Sequence, residues 1–170
     1  MAHILILISP KDFRDEEYFE PKRLFEIAGH TVVTASLEKG LARGSRGGEA
    51  IVNESIERIV SSRGYDAIVV VGGSGSSVYD DDNRVHEILR SFEKDRKLIA
   101  AICHAPVILA KAGLLRGKRA TVFAPDAEVL HHYGVHYTAS SVETDGLFIT
   151  ADGPSSAVKF ARGIIHKLHQ

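Results

Sequence analysis

Short β-branched runs alternate along this chain with stretches of helical periodicity, and no other feature limits the fold as strongly. The clearest predicted strands cover residues 4–8, 31–35, 67–71 and 98–102. Helices are predicted between and after them, over residues 17–28, 53–61, 83–92 and 105–112. Strand, helix and strand in repetition form a parallel sheet with helices on both faces. The sequence therefore predicts an α/β fold of three layers.

The last third of the chain continues this pattern with shorter elements. Strands are predicted over residues 120–123, 135–138 and 147–150, and helices over residues 126–133 and 155–168. The chain has 170 residues, of which 44% are hydrophobic, so it is long enough to bury one core. We expect one domain over residues 1–170.

Charge and cysteine content argue against several classes of protein. A net charge of -1 without a cluster of Lys and Arg argues against a nucleic-acid partner. No apolar segment is long enough to span a bilayer, so we expect no membrane partner. The apolar start, MAHILILIS, lacks a basic lead-in and is typical of a first strand. One cysteine cannot form an internal disulfide, which favours a cytoplasmic location.

The single cysteine stands where a nucleophile would be expected. Cys103 ends the apolar run 98–102, His104 follows directly, and a helix is predicted from Ala105. A tight strand-to-helix turn is the geometry of a nucleophile elbow, and the N-terminus of the next helix favours a thiolate. A free cysteine is about as often a small buried hydrophobic residue. From Cys103 alone, both interpretations stay open.

Ligands bind at the carboxyl ends of parallel strands, and three such ends carry reactive groups here. One is the Cys103–His104 pair, one is the run GGSGSS at residues 72–77, and one is an acidic segment with Asp12, Asp15, Glu16, Glu17 and Glu20. We expect them to meet at one edge of the sheet. Gly72 and Gly73 would form an oxyanion pocket there, with the N–H groups of Gly73 and His104 facing the oxygen. A phosphate-binding loop is the weaker alternative, because the run lacks the residues of known motifs.

Three further clusters have plainer interpretations. An acidic run, Asp80, Asp81 and Asp82, precedes a predicted helix. Carboxylates at this position stabilise the N-terminus of a helix. Arg43 and Arg46 would border the site and bind anionic or glycated substrates, although two solvated loop arginines are the simpler interpretation. A run of histidines matches no established metal site, and we predict no metal: His131, His132 and His136.

Several motifs, in order along almost the whole chain, resemble the ThiJ/PfpI superfamily, also called DJ-1-like. They are DEEYFEP, AGHTVVTAS, YDAIVVVGG, AAICHAP, AGLLRGKRAT and DGLFITADGPSSAVKFA. The resemblance implies a flavodoxin-like sandwich with a reactive cysteine at the elbow and a glutamate that touches its sulfur. By position these residues are Cys103 and Glu17. The resemblance also implies a homodimer or a larger homo-oligomer.

A carboxyl group beside a thiol predicts a shared proton. A thiolate and a carboxylate repel each other, so the pKa of Glu17 should rise. The protonated acid should then donate a hydrogen bond to sulfur and lower the pKa of Cys103. This interpretation makes Cys103 a nucleophile near neutral pH.

His104 directly after the cysteine is similar to the PfpI branch of the superfamily. Members of that branch are described as cysteine peptidases with a Cys-His-Glu triad, and as deglycases or glyoxalases that act on methylglyoxal and its protein adducts. The triad's acid comes from the neighbouring subunit in that branch, and its position is Ser77 here. Asp80 or Asp126 could replace it, but nothing in the sequence places either one.

The missing acid weakens peptide cleavage in particular, because that reaction needs an oriented histidine to protonate a poor leaving group. The reaction of a small dicarbonyl, free or on a glycated protein, does not depend on a histidine that protonates a poor leaving group. We therefore predict a cysteine-dependent deglycase or glyoxalase without a cofactor. The alternatives are an intracellular cysteine peptidase, and a redox-sensing or chaperone-like protein in which Cys103 is oxidised.

Overall fold

A computed structural model describes all 170 residues. In chain order the strands are β1 (His3–Leu7), β2 (Lys11–Phe13), β3 (Thr31–Ser36), β4 (Gly40–Gly44), β5 (Glu49–Val52), β6 (Glu54–Ser55), β7 (Ala67–Val70), β8 (Leu98–Ile102), β9 (Arg119–Ala120), β10 (His136–Tyr137), β11 (Val142–Asp145) and β12 (Phe148–Ala151). The α-helices are α1 (Asp15–Ile27), α2 (Asn83–Lys94), α3 (Pro106–Lys111), α4 (Ala127–His132) and α5 (Ala157–Leu168). Short 3-10 helices cover Ile56–Arg58, Ser74–Tyr79, Ala124–Asp126 and Pro154–Ser156.

Seven strands form the central sheet, in the order β11-β12-β8-β7-β1-β3-β6. All neighbours are parallel except β11 and β12, which form an antiparallel hairpin at one edge. The interior strand β1 lies between β7 and β3 and is buried on both faces, with Leu5 opposite Val33 of β3 and Ile68 of β7. The predicted α/β sandwich with a mostly parallel sheet is confirmed.

Two cores lie on the two faces of this sheet, because successive side chains of a strand point to opposite sides. Ile4 and Ile6 pack with α1 and α5, on which Phe25 and Phe160 are fully buried. Leu5 belongs to the other core, which α2, α3 and α4 cover: Val85, Leu89, Phe92, Ile108, Leu109 and Leu130. The helices thus form the two outer layers that the alternation of elements predicts.

The predicted helix over residues 53–61 is wrong. Asn53 instead pairs with Thr34 through its backbone N–H and its side-chain oxygen, and β6 then extends the sheet beside β3. Only one turn of 3-10 helix follows. A helix over residues 53–61 would place Val60 on one face with Ile56 and Ile59, but Val60 is 87% exposed. Pairing along a free sheet edge satisfies these backbone groups better than a short helix would.

A second sheet was not predicted from the sequence. Strands β2, β4 and β5 form a three-stranded sheet, and the segment predicted as a loop around Arg46 is the β4–β5 hairpin. The predicted strands 120–123 and 135–138 are reduced to the β9–β10 pair. No helix is long and apolar enough to cross a bilayer.

Candidate active site

Cys103 occupies a sharp turn between β8 and the segment that leads into α3. Its backbone N–H donates to the Ala151 carbonyl at 2.9 Å, and its own carbonyl accepts from the Phe123 N–H at 2.8 Å. These bonds hold the residue at φ 64°, a left-handed conformation that costs a non-glycine residue about 1–3 kcal/mol. The side chain is half-buried and reaches a surface cleft. The predicted elbow geometry is therefore present.

Glu17 approaches the cysteine from the first turn of α1. Its side chain is fully buried, and Oε1 accepts a hydrogen bond from the Gly72 N–H at 2.9 Å. The carboxyl group lies beside the Cys103 thiol, close enough for the two groups to share a proton. Oε2 is buried and has no hydrogen-bond partner. A fully buried acid thus lies beside a half-buried thiol, as the resemblance to the ThiJ/PfpI superfamily implies.

The pKa of Glu17 shifts in the direction expected from the sequence, and the pKa of Cys103 shifts in the opposite direction. Burial raises the pKa of Glu17 to about 7. Burial, followed by the negative charge of Glu17, also raises the pKa of Cys103 to about 12. The expected fall of the thiol pKa is therefore wrong for the resting site, because desolvation disfavours both anions. Between these values the pair holds one negative charge and one proton.

Two backbone N–H groups converge on the sulfur. Those of Gly73 and His104 both point at Cys103 Sγ, and neither donates to a backbone carbonyl. They are therefore free to bind an oxygen on a carbon attacked by the thiol. Glycine is required at position 73, because the residue has φ 103° and a Cβ atom would lie 2.5 Å from the Arg14 nitrogen. This packing against β2 accounts for the glycine run without a phosphate ligand.

His104 is held by two carboxylates of its own chain. Its Nδ1 lies 2.9 Å from Asp126 Oδ2, and its Nε2 lies 2.8 Å from Asp80 Oδ1. Ionised carboxylates only accept hydrogen bonds, so both contacts are satisfied together when both ring nitrogens donate, and the arrangement stabilises the imidazolium form of His104. The bond to Asp80 is the main cause of the raised pKa of His104. The structure thus places the two acids that the sequence could not.

The acidic run before α2 divides its roles. Asp82 caps the helix as predicted and accepts from the Arg84 N–H at 2.9 Å. Asp81 lies on the surface, 3.2 Å from Lys111 Nζ. Asp80 turns away to His104 and is one of the two acids that the sequence offered for this role without placing them. The helix cap uses Asp82, so the carboxylate of Asp80 is free for this contact.

Cys103 opens into a cleft of about 560 Å³. Twelve residues line it: Arg14, Glu17, Ser45, Arg46, Gly73, Ser74, Ser77, Cys103, His104, Phe123, Asp126 and Pro154. Gly72 is not among these lining residues, and a Cβ atom there would meet Glu17 Oε1 at 2.7 Å, so the glycine leaves room for the acid. Arg43 is also outside the cleft, 3.7 Å from Glu49 on the outer face of the hairpin. Its expected role in binding substrate is not supported.

Arg14 is a cleft residue that the sequence analysis missed. It follows the first strand in the segment that was expected to converge on the site, but only the acids of that segment were considered. Its Nε lies 2.5 Å from Glu16 Oε2, and its charge lowers the pKa of Glu17 in opposition to burial. Arg14 therefore helps to keep Glu17 ionisable near neutral pH.

The histidines of the HHYGVH segment take no part in the site. His131 packs edge-on to Tyr137, and His132 packs edge-on to Tyr133. His136 lies in β10 and is exposed. These contacts explain the histidines as surface residues.

The chain matches the model of one protein family, described as the DJ-1/PfpI family, over residues 2–167. An uncharacterized protein of Methanocaldococcus jannaschii, MJ0967, is 41% identical, with 99% of this chain and 83% of that protein aligned. The deglycase PfpI of Pyrococcus furiosus is 28% identical over 96% of this chain and 98% of its own. The putative cysteine protease YraA of Bacillus subtilis is 28% identical over 99% of both chains.

Solved structures give the same result for the fold. A ThiJ/PfpI domain protein from Brachyspira murdochii superposes with a TM-score of 0.95 at 32% identity, covering 98% of this chain and 96% of that one. Drosophila melanogaster DJ-1beta superposes with a TM-score of 0.90 at 31% identity, covering 98% and 90% of the two chains. Both likenesses extend over 98% of this chain.

Proposed function

We propose that this chain, which belongs to the DJ-1/PfpI family, is a cysteine-dependent enzyme of the deglycase or glyoxalase type that acts on methylglyoxal or its protein adducts. The observation that carries the proposal is the one-proton pair of Cys103 and Glu17 beside two free N–H groups. The names of similar proteins, deglycases in several organisms, support the same class.

The first step of the proposed reaction is addition of the thiol to an aldehyde. As Cys103 Sγ bonds to the aldehyde carbon, its proton passes to Glu17 and then to the carbonyl oxygen, which gives a hemithioacetal. The N–H groups of Gly73 and His104 stabilise the negative charge that develops on that oxygen. This order of events suits a thiol with a high pKa, since the carboxylate of Glu17 removes the proton only during attack.

The later steps rearrange two protons and add one water molecule. Glu17 removes the proton from the former aldehyde carbon, while the neighbouring carbonyl oxygen gains a proton, which gives an enediol. Return of the proton from Glu17 to the neighbouring carbon, with loss of the hydroxyl proton from the sulfur-bearing carbon, gives a lactoyl thioester. Water then attacks the thioester carbonyl and releases lactate and the free thiol. In total, methylglyoxal and water give lactate, with no net oxidation or reduction and no cofactor in any step.

Glu17, and not His104, is assigned the proton transfers. Both ring nitrogens of His104 are occupied, by Asp126 and by Asp80. A doubly donating imidazolium has no lone pair with which to accept a proton. His104 therefore contributes its backbone N–H to the oxyanion pocket and its positive charge to the surroundings of the cleft.

The direct test compares the wild type with Cys103→Ala in methylglyoxal, with lactate followed by proton NMR. We expect lactate from the wild type only, and a rate that rises with pH through a midpoint near the Glu17 pKa of about 7. The rise follows because ionised Glu17 is the form that accepts the thiol proton. Lactate at equal rates from both proteins would refute the proposal.

A peptidase is the second candidate, and one contact favours it. The bond of 2.9 Å between His104 Nδ1 and Asp126 is the acid–histidine half of a triad. The partner of Nε2 is Asp80, however, and not the Cys103 sulfur. Cysteine-dependent cleavage of casein would support this candidate, and we expect the dicarbonyl reaction to be the faster one.

A further inference from the structure

We infer that the cleft selects substrates with an anionic group, a carboxylate or phosphate carried by the α-oxoaldehyde or by its adduct, and that Arg46 binds this group. The inference deepens the proposed function and rests on it for the reacting aldehyde. It depends on one unpaired charge in the cleft and on a rigid turn that presents it.

The charges in the cleft are almost all paired within the chain. Asp126 is bonded to His104, and Arg14 is bonded to Glu16. Glu17 accepts from the Gly72 N–H and shares a proton with Cys103. Arg46 lines the same cleft, and none of the chain's ion pairs includes it. Arg46 is therefore the one cationic side chain of the cleft that has no ion-pair partner in the chain.

Hydrogen bonds from Asp15 fix the backbone of the turn that carries Arg46. Asp15 accepts hydrogen bonds from the backbone N–H groups of Arg46, at 2.8 Å, and Gly48, at 2.7 Å. The turn closes on itself through the bond of 2.8 Å from the Gly44 N–H to the Gly48 carbonyl. It is also joined to β2, since the Ser45 N–H donates to the Phe13 carbonyl at 2.9 Å.

The hydrogen bonds of Asp15 connect the turn that carries Arg46 to the helix that carries Glu17. Asp15 precedes Glu17 by two residues in the first turn of α1, so the turn with Arg46 and the carboxyl beside Cys103 are positioned by one helix end. Asp15 fits tightly there, because a Cβ atom on Gly48 would lie 2.5 Å from its Oδ2. A fixed backbone reduces the entropy that Arg46 loses when it binds an anion. Guanidinium groups match carboxylate and phosphate through two parallel hydrogen bonds.

Two alkylating agents that differ in charge test this inference on the only thiol of the chain. Iodoacetate is an anion and iodoacetamide is neutral, and each modifies Cys103 by the same displacement of iodide. We would measure the ratio of their rate constants by intact mass in the wild type, in Arg46→Gln and in Arg43→Gln. Arg43 is the matched control, an exposed arginine of the same hairpin that lies outside the cleft.

We expect Arg46→Gln to lower the iodoacetate-to-iodoacetamide ratio about threefold to tenfold, and less at 1 M salt, where charges are screened. Arg43→Gln should leave the ratio at its wild-type value. An unchanged ratio in Arg46→Gln, or an equal fall in both variants, would overturn the inference. Neither reagent requires turnover. A protein that forms no lactate and still shows the Arg46 effect refutes the proposed function alone, whereas lactate without the effect refutes this inference alone.

Discussion

Cys103 and His104 are neighbours in the sequence, yet their surroundings are electrostatic opposites. The Cys103 thiol lies beside a second acid, Glu17, so one proton serves two groups that both resist ionisation. The His104 ring lies between two carboxylates, Asp80 and Asp126, which stabilise its charged form. The negative charge of the Cys103–Glu17 pair has no ion-pair partner, whereas the positive charge of His104 has two. This difference is the reason that we propose chemistry for the first pair and a positioning role for the second.

The largest expected effect comes from the acid of the first pair. Glu17→Gln keeps an acceptor for the Gly72 N–H but cannot take the thiol proton. We expect lactate formation to fall on the order of 10²–10⁴-fold, the usual contribution of a general base. Steady-state rates from pH 6 to pH 9 measure the loss. The rise in rate near pH 7 should disappear with the carboxyl group.

The same substitution should make the folded protein more stable. The pKa of Glu17 is raised from 4.5 to about 7 on folding, so the folded state binds more protons in this range and stability falls as pH rises through it. Glu17→Gln removes that loss, which is about 2–3 kcal/mol at pH 8. Urea unfolding at pH 8 and pH 4 measures it, and the gain should vanish at pH 4. Glu20→Gln, at a partly exposed position on α1 that pairs with Arg23, is the control; an equal gain there would contradict the explanation.

Replacing either acid that contacts His104 should make the folded protein less stable. Asp80→Asn and Asp126→Asn each remove one charged hydrogen bond from His104, and we expect a loss of about 1–3 kcal/mol of stability at pH 6. The pKa of His104 is raised on folding, so this stabilisation is fully present below the ordinary histidine pKa and is lost as pH rises through the folded value.

Urea unfolding at pH 6 and pH 9.5 distinguishes this linkage from a general packing defect, which would cost the same at both values. Asp81→Asn is the matched control. Its carboxylate forms an exposed ion pair with Lys111, so the expected change is within about 0.5 kcal/mol. A loss of activity in Asp80→Asn as large as in Glu17→Gln would break the division of roles between the two pairs.

The smallest expected effect concerns Arg14. Its charge lowers the pKa of Glu17, so Arg14→Gln should move the midpoint of the pH–rate profile upward by up to about 1 pH unit. The rate at pH 9 should change much less than the rate at pH 6.5. Arg23→Gln, which removes an exposed arginine of the same helix, should leave the midpoint in place. A downward shift in Arg14→Gln would contradict the assigned electrostatics.

Much of the site could be predicted from the sequence, because strand ends are easy to locate. Strand β8 was predicted with its observed bounds, and Cys103, Gly73 and Glu17 follow three strands whose carboxyl ends meet. The fall of the thiol pKa was not correctly predicted. Its sign depends on how far water is excluded from both acids, and a sequence carries no measure of that exclusion.

Periodicity and residue order by themselves determined the parallel sheet, its two covered faces and the elbow at Cys103, since these follow from local alternation of apolar residues and from chain geometry. Only the tertiary structure decided which acids reach His104 and which arginine faces the cleft. Asp80 is 24 residues from His104 and Asp126 is 22 residues away, while Arg43 and Arg46 differ only by their positions on one hairpin. Contacts of this kind depend on where loops cross at the sheet edge, and that is set by packing of the whole core and not by any local pattern.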